Sequence, residues 1–112
     1  MTESDAKQIQ KGILKILILK LLVEEKRYGY ELLMEMSKRS DGFFKLKEGT
    51  LYPILYKLEE DGCIVSEWQV ADERMRAKKY YLVTEKGKAQ LTEWIMFWEQ
   101  FSAKVHDFLS ED

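Results

Sequence analysis

Residues 13–23, ILKILILKLLV, hold nine aliphatic side chains and two lysines, Lys15 and Lys20. Nothing else in the chain constrains its fold as strongly. The run predicts one continuous helix over Ile9–Glu24. Ile9, Ile13, Ile16, Leu17 and Leu21 lie along one stripe, and Leu14, Ile18, Leu19 and Leu22 fill other faces. A helix apolar on most sides must be wedged between other elements. The run is too short to span a membrane, the lysines interrupt it, and no small-residue cleavage site follows it. With 112 residues, one domain has to form around this helix.

The charged stretch Glu24-Glu25-Lys26-Arg27 breaks the run, and Tyr28-Gly29-Tyr30 opens a second amphipathic helix. That helix turns Leu32, Leu33 and Met36 inward and Glu31, Glu35, Lys38 and Arg39 outward, and it stops at Ser40-Asp41-Gly42. A third helix falls within Glu48–Asp61, where Leu51, Ile54, Leu55 and Leu58 form its apolar stripe and Gly62 caps its end. Proline is comfortable only in a first turn, so this helix either starts near Thr50 or bends at Pro53. Ile64–Val70 and Lys78–Thr84 read as strands, with Ala71–Ala77 as a hairpin tip. Thr84 caps a last long helix. The class is mainly α (α+β), a winged helix-turn-helix with a two-stranded wing and a long C-terminal dimerisation helix. The expected division is residues 1–84 as the winged domain and 85–112 as the long last helix.

Chemistry is sparse. The single histidine, His106, sits in the last helix, and the single cysteine, Cys63, opens an apolar segment as a small core residue. Neither has a partner at metal-ligand or nucleophile–base spacing, and no glycine-rich phosphate loop exists. No enzyme, metal or cofactor is expected. One cysteine forms no internal disulfide, which fits a cytoplasmic protein.

A net charge of −2 argues against a uniformly basic surface, but the charge is uneven. Residues 74–88 set Arg74, Arg76, Lys78, Lys79, Lys86 and Lys88 against Glu85 alone, a local +5. Residues 89–112 set Lys104 against five carboxylates, a local −4. Cations at a wing displace counterions from DNA, and Lys45 and Lys47 add charge before the third helix. Opposite that helix's apolar stripe lie Gly49, Thr50, Tyr52, Pro53, Tyr56 and Lys57. Their hydroxyls can reach phosphates, and ring edges or the Thr50 methyl can touch thymine methyls.

Three blocks now carry a resemblance: Tyr28-Gly29-Tyr30-Glu31-Leu32, Gly49–Gly62 (GTLYPILYKLEEDG) and Arg76–Gly87 (RAKKYYLVTEKG). In this order they resemble the PadR family of bacterial transcriptional regulators, over roughly residues 9–90. The resemblance implies a dimeric winged-helix repressor acting on its own or neighbouring genes, with many members answering to small aromatic or hydrophobic ligands. It places DNA contacts near Tyr28, on Thr50, Tyr52, Pro53 and Tyr56, and on the wing cations. It also implies that the third helix begins near Lys47, where a capping Ser, Thr or Asn would be usual. The single C-terminal helix makes the chain similar to the short members.

On that last helix Leu91, Trp94, Trp98, Phe101, Val105 and Phe108 step by alternating threes and fours, a heptad seam that Ile95, Phe97 and Leu109 widen. A monomer of this size cannot cover the stripe, so a homodimer is expected. Trp94, Phe97, Trp98 and Phe101 would then frame a slot for a flat aromatic ligand. The expected partner is double-stranded DNA with a palindromic operator, and no membrane. Two alternatives remain: a DNA-binding regulator without ligand, and a winged-helix module that binds protein.

Overall fold

In the computed structural model, which describes residues 1–70 and 72–110, the helix expected over Ile9–Glu24 is two helices. Gly12 at φ +94° takes a left-handed conformation that only glycine adopts freely, and it separates α1 (Glu3–Gln10) from α2 (Ile13–Glu24). Thr2 caps α1 reciprocally: its hydroxyl accepts from the Asp5 N–H, and the Asp5 carboxylate accepts from the Thr2 N–H, each at 3.0 Å. No residue of α1 is buried.

The chain continues through β1 (Arg27–Tyr28), α3 (Gly29–Arg39), α4 (Glu48–Glu60), β2 (Ile64–Val70), β3 (Ala77–Val83) and α5 (Glu85–Leu109). Ile18, Leu19 and Leu22 of α2 meet Leu32 of α3, Leu51 and Leu55 of α4, and Ile64 of β2 in one core. Each such side chain contributes about 1.5–3 kcal/mol on leaving water. The wing acquires a third strand that the sequence did not suggest. β1 pairs antiparallel with β3, Arg27 opposite Tyr81 and Tyr28 opposite Tyr80, giving the order β1-β3-β2. Arg27 is correspondingly buried, at 7% exposure, and is not part of a solvated charge run. Its Nε donates to the Leu21 carbonyl at 3.2 Å, and its other nitrogens face Glu24 and Glu25 at 3.4 Å. A cation is favourable at that helix C-terminus.

Pro53 lies inside α4 as its sixth residue, because the helix starts at Glu48 with an uncapped Lys47 before it. At the other end Gly62, at φ +80°, closes a Schellman turn: its N–H bonds Glu59 O at 3.0 Å, and the Cys63 N–H bonds Leu58 O at 2.9 Å. Thr84 ties this turn to α5. Its hydroxyl donates towards Gly62 O at 2.7 Å and Cys63 O at 3.0 Å, and accepts from the Gly87 N–H at 3.0 Å. Gly87 rests directly on the Cys63 carbonyl, leaving no space for a Cβ. The matching sequence blocks EEDG and VTEKG are therefore a joint in the scaffold. Beyond that joint Leu91 is buried and Trp94 and Ile95 are partly covered, but from Met96 onward α5 leaves the domain. Among the described residues no helix is long and apolar enough to cross a membrane.

Candidate nucleic-acid interface

The stripe Leu51, Leu55 and Leu58 anchors α4 in the core and turns its other faces outward. Tyr52 and Tyr56, one turn apart, have different surroundings. The phenol end of Tyr52 covers Gly29 of α3, where a Cβ would collide with it, so the glycine is what lets the ring lie there. Tyr56 is 72% exposed, and Gly49 and Pro53 are exposed beside it. Lys45 and Lys47 precede the positive end of α4, both exposed. Lys57 is already engaged by Glu60 at 3.4 Å and Asp61 at 3.3 Å, within its own helix.

The wing is less positive than its sequence sum. Arg76 is bonded to Asp72 at 2.6 and 2.9 Å, and this pairing holds the Asp72 carboxyl below the usual carboxylate range. Lys88 pairs with Glu85 at 3.2 Å. Among the described residues the Arg74 guanidinium and the Lys79 ammonium have no carboxylate partner, although the Arg74 backbone N–H donates to Asp72 Oδ1 at 3.0 Å. Lys78 lies 5.5 Å over the Tyr28 ring, Lys26 lies 5.4 Å over Tyr80, and the two rings meet edge to face at 5.3 Å. Tyr28 is thus partly covered at the foot of the wing. Ala71, expected in the wing tip, lies outside the described residues. Cys63 is buried, and burial pushes its thiol pKa up, which suits a core role.

Away from this face, the free half of α5 brings Phe97, Trp98 and Phe101 together, with ring centroids 5.8 Å and 6.2 Å apart for the two pairs that include Phe101. Trp94, expected in the same set, instead lies under Lys15 Nζ at 4.6 Å, against α2. It edges a groove of about 810 Å³ between α1, the 42–47 loop and α4. Leu46, Pro53 and Ile54 give the groove an apolar wall, and six lysines surround it. Neither this groove nor the exposed Trp68 of the wing was foreseen from sequence; the signal for Trp68 was its place on the same strand face as Ile64.

The sequence model of the PadR-like transcriptional regulator family matches residues 18–93. Transcriptional regulator Rv3488 of Mycobacterium tuberculosis is 36% identical over 87 residues, 78% of this chain and 77% of that protein. The negative transcriptional regulator PadR of Bacillus subtilis is 28% identical over 95 residues, 85% of this chain and 52% of that protein. Among solved structures, a PadR-like transcriptional regulator from Bacillus cereus superposes with a TM-score of 0.79 at 32% identity, over 94% of this chain and 99% of that one.

Proposed function

The chain belongs to the PadR-like family of transcriptional regulators, and on that premise we propose that it acts as a homodimer repressing transcription from a palindromic DNA site. The observation that carries this reading is the outer half of α5. Trp98, Phe101, Val105 and Phe108 keep one stripe of the helix apolar, and all four are exposed, Phe108 at 89%. Leaving such a stripe in water is unfavourable by roughly 2–3 kcal/mol for each large side chain. A second copy covers it with the same stripe, the self-complementary arrangement a twofold axis requires.

Pairing through α5 leaves Tyr56, Lys47 and Arg74 free to meet DNA in each protomer. Two copies then address two half-sites, and occupation of a promoter by such a dimer blocks transcription. The name of the Bacillus subtilis relative, a negative regulator, supports that direction of control. Phe97, Trp98 and Phe101 from both copies would frame a slot for a flat hydrophobic molecule. A ligand there acts by favouring a dimer whose wings are spaced differently from the DNA-bound one.

The test combines sedimentation with an anisotropy titration on DNA from upstream of the protein's own gene, at two salt concentrations. Selective, salt-sensitive binding by a dimer is expected. A monomer at working concentration, or binding with no preference over random DNA, overturns the reading. For the ligand step, aromatic compounds that change neither tryptophan emission nor DNA affinity overturn it.

A further inference from the structure

Trp68 is 70% exposed in the middle of β2, and neither the core nor the wing's charges account for it. Its sheet face is set by its neighbours. Ile64, four residues back, is buried, and Ser66 Oγ donates to Glu59 Oε2 of α4 at 3.3 Å. Tyr81, opposite Ser66, is also buried; that burial, with smaller help from Tyr52 and Glu59 of α4, pushes its hydroxyl pKa up. This face of the sheet is therefore turned to α4. Trp68 continues it one pair further out, opposite Lys79, past the cover that α4 provides. Val70, next on the same face, is exposed as well. Glu67 belongs to the opposite face, with Tyr80.

We infer that Trp68 is a DNA-contacting residue, its indole resting against deoxyribose and base edges while Lys79 and Arg74 hold phosphates beside it. The inference rests on the DNA-binding reading above and extends it to a residue of apolar character. Three features select DNA as the occupant. The face is the one that packs on α4, the helix that carries the exposed Tyr56. The Lys79 ammonium, opposite the ring, and the Arg74 guanidinium, at the tip of the wing, have no carboxylate partner among the described residues. The indole N–H is donor-only, and what a groove offers it are acceptors: phosphate oxygens, adenine N3 and thymine O2. Apolar side chains set against sugars and base steps are an established way for a protein to grip a groove.

Contacts of this kind differ measurably from phosphate contacts. Each phosphate-bound cation contributes to the slope of log affinity against log salt, whereas an apolar contact leaves that slope unchanged. Anisotropy titrations of the full chain with its upstream DNA, at four salt concentrations, compare wild type with Trp68→Ala, Trp68→Phe and Arg74→Ala. Trp68→Ala is expected to weaken binding about tenfold with the slope unchanged, and Trp68→Phe by less than about threefold. Arg74→Ala is expected to weaken binding and reduce the slope by about one. Tryptophan emission should fall on adding DNA to wild type, and most of that fall should vanish in Trp68→Phe.

Wild-type affinity in Trp68→Ala, or an undiminished emission change in Trp68→Phe, overturns the inference and leaves the DNA-binding reading intact. A wild-type chain with no DNA binding overturns both. A Trp68→Ala chain that binds DNA normally but loses self-association assigns the ring to a protein contact, and likewise overturns the inference.

Discussion

α2 and the outer half of α5 are both rich in apolar side chains, yet one is enclosed and the other stands in solvent. α2 has twelve residues, Ile13–Glu24, and α3, α4, β3 and the base of α5 all pack on it. α5 has twenty-five, and at about 1.5 Å per residue it runs past the side chains that could cover it, in a molecule 59 Å long and only 32 by 21 Å across. Apolar periodicity states that a face must be covered. Chain length and packing decide whether the same molecule can do it. The Thr84–Gly87 joint to the α4–β2 turn marks the boundary, since Leu91 one turn beyond it is the last fully buried side chain of α5.

The contrast breaks hardest at the free half. Phe101→Glu would place two like carboxylates across a twofold seam, and association should weaken by more than about 4 kcal/mol while the monomer stays folded. Sedimentation and circular dichroism read the two quantities separately. Loss of monomer folding would show that the outer half of α5 supports its own domain. In α2 the effect should be the reverse: Leu19→Ala removes about 3 kcal/mol of folding stability by denaturant titration, equally at all protein concentrations. Gly87→Ala tests the boundary itself. Alanine raises helix propensity, but its Cβ would stand 2.8 Å from Val83 Cγ2 and press on the Cys63 carbonyl, so a net loss of about 2 kcal/mol is expected. Gly49→Ala, with nothing within 4 Å of the new Cβ, should leave stability unchanged or slightly raised.

The elements whose pattern is local were legible in the sequence. The α4 stripe, the two wing strands and the Thr84 cap each depend on spacing within one segment. What escaped depends on partners distant in the chain. Gly12 breaks the first helix although a glycine inside a helix costs only about 1 kcal/mol, so its sequence pattern gave no warning. β1 is two residues long, too short for any alternation, and exists because Tyr80 and Tyr81 pair with it. The turning of Tyr52 onto Gly29 follows from how α3 crosses α4, which no spacing within either helix states. Arg76 read as a free cation because the charge sum began at Arg74 and left Asp72 outside it. Trp68 passed as one more aromatic in a strand, since the depth of cover along β2 is set by where α4 ends.

The smallest expected loss concerns acid, and it again separates the two helices. At the end of α2 the Glu24 carboxylate accepts from Arg39 Nη1 at 2.8 Å, and Arg39 also reaches Glu35 at 3.1 Å. The Arg39 hydrogen bond is the main cause that holds the Glu24 pKa below its usual 4.5, with smaller help from Lys20 and Arg27 and opposition from burial. A carboxyl whose pKa is lower folded than unfolded binds fewer protons in the native state. Its stabilisation is therefore complete above about pH 4.5 and disappears as pH falls through the lowered folded value. Arg39 is nearly half exposed, so solvent screens the pair and the contribution is small. Arg39→Gln should accordingly lower the melting temperature slightly at pH 7, and the gap from wild type should close as the pH falls below about 4.5. Because every partner lies in one chain, that gap should not change with protein concentration. A gap that widens on dilution would place the acid-sensitive contact on the outer half of α5 instead.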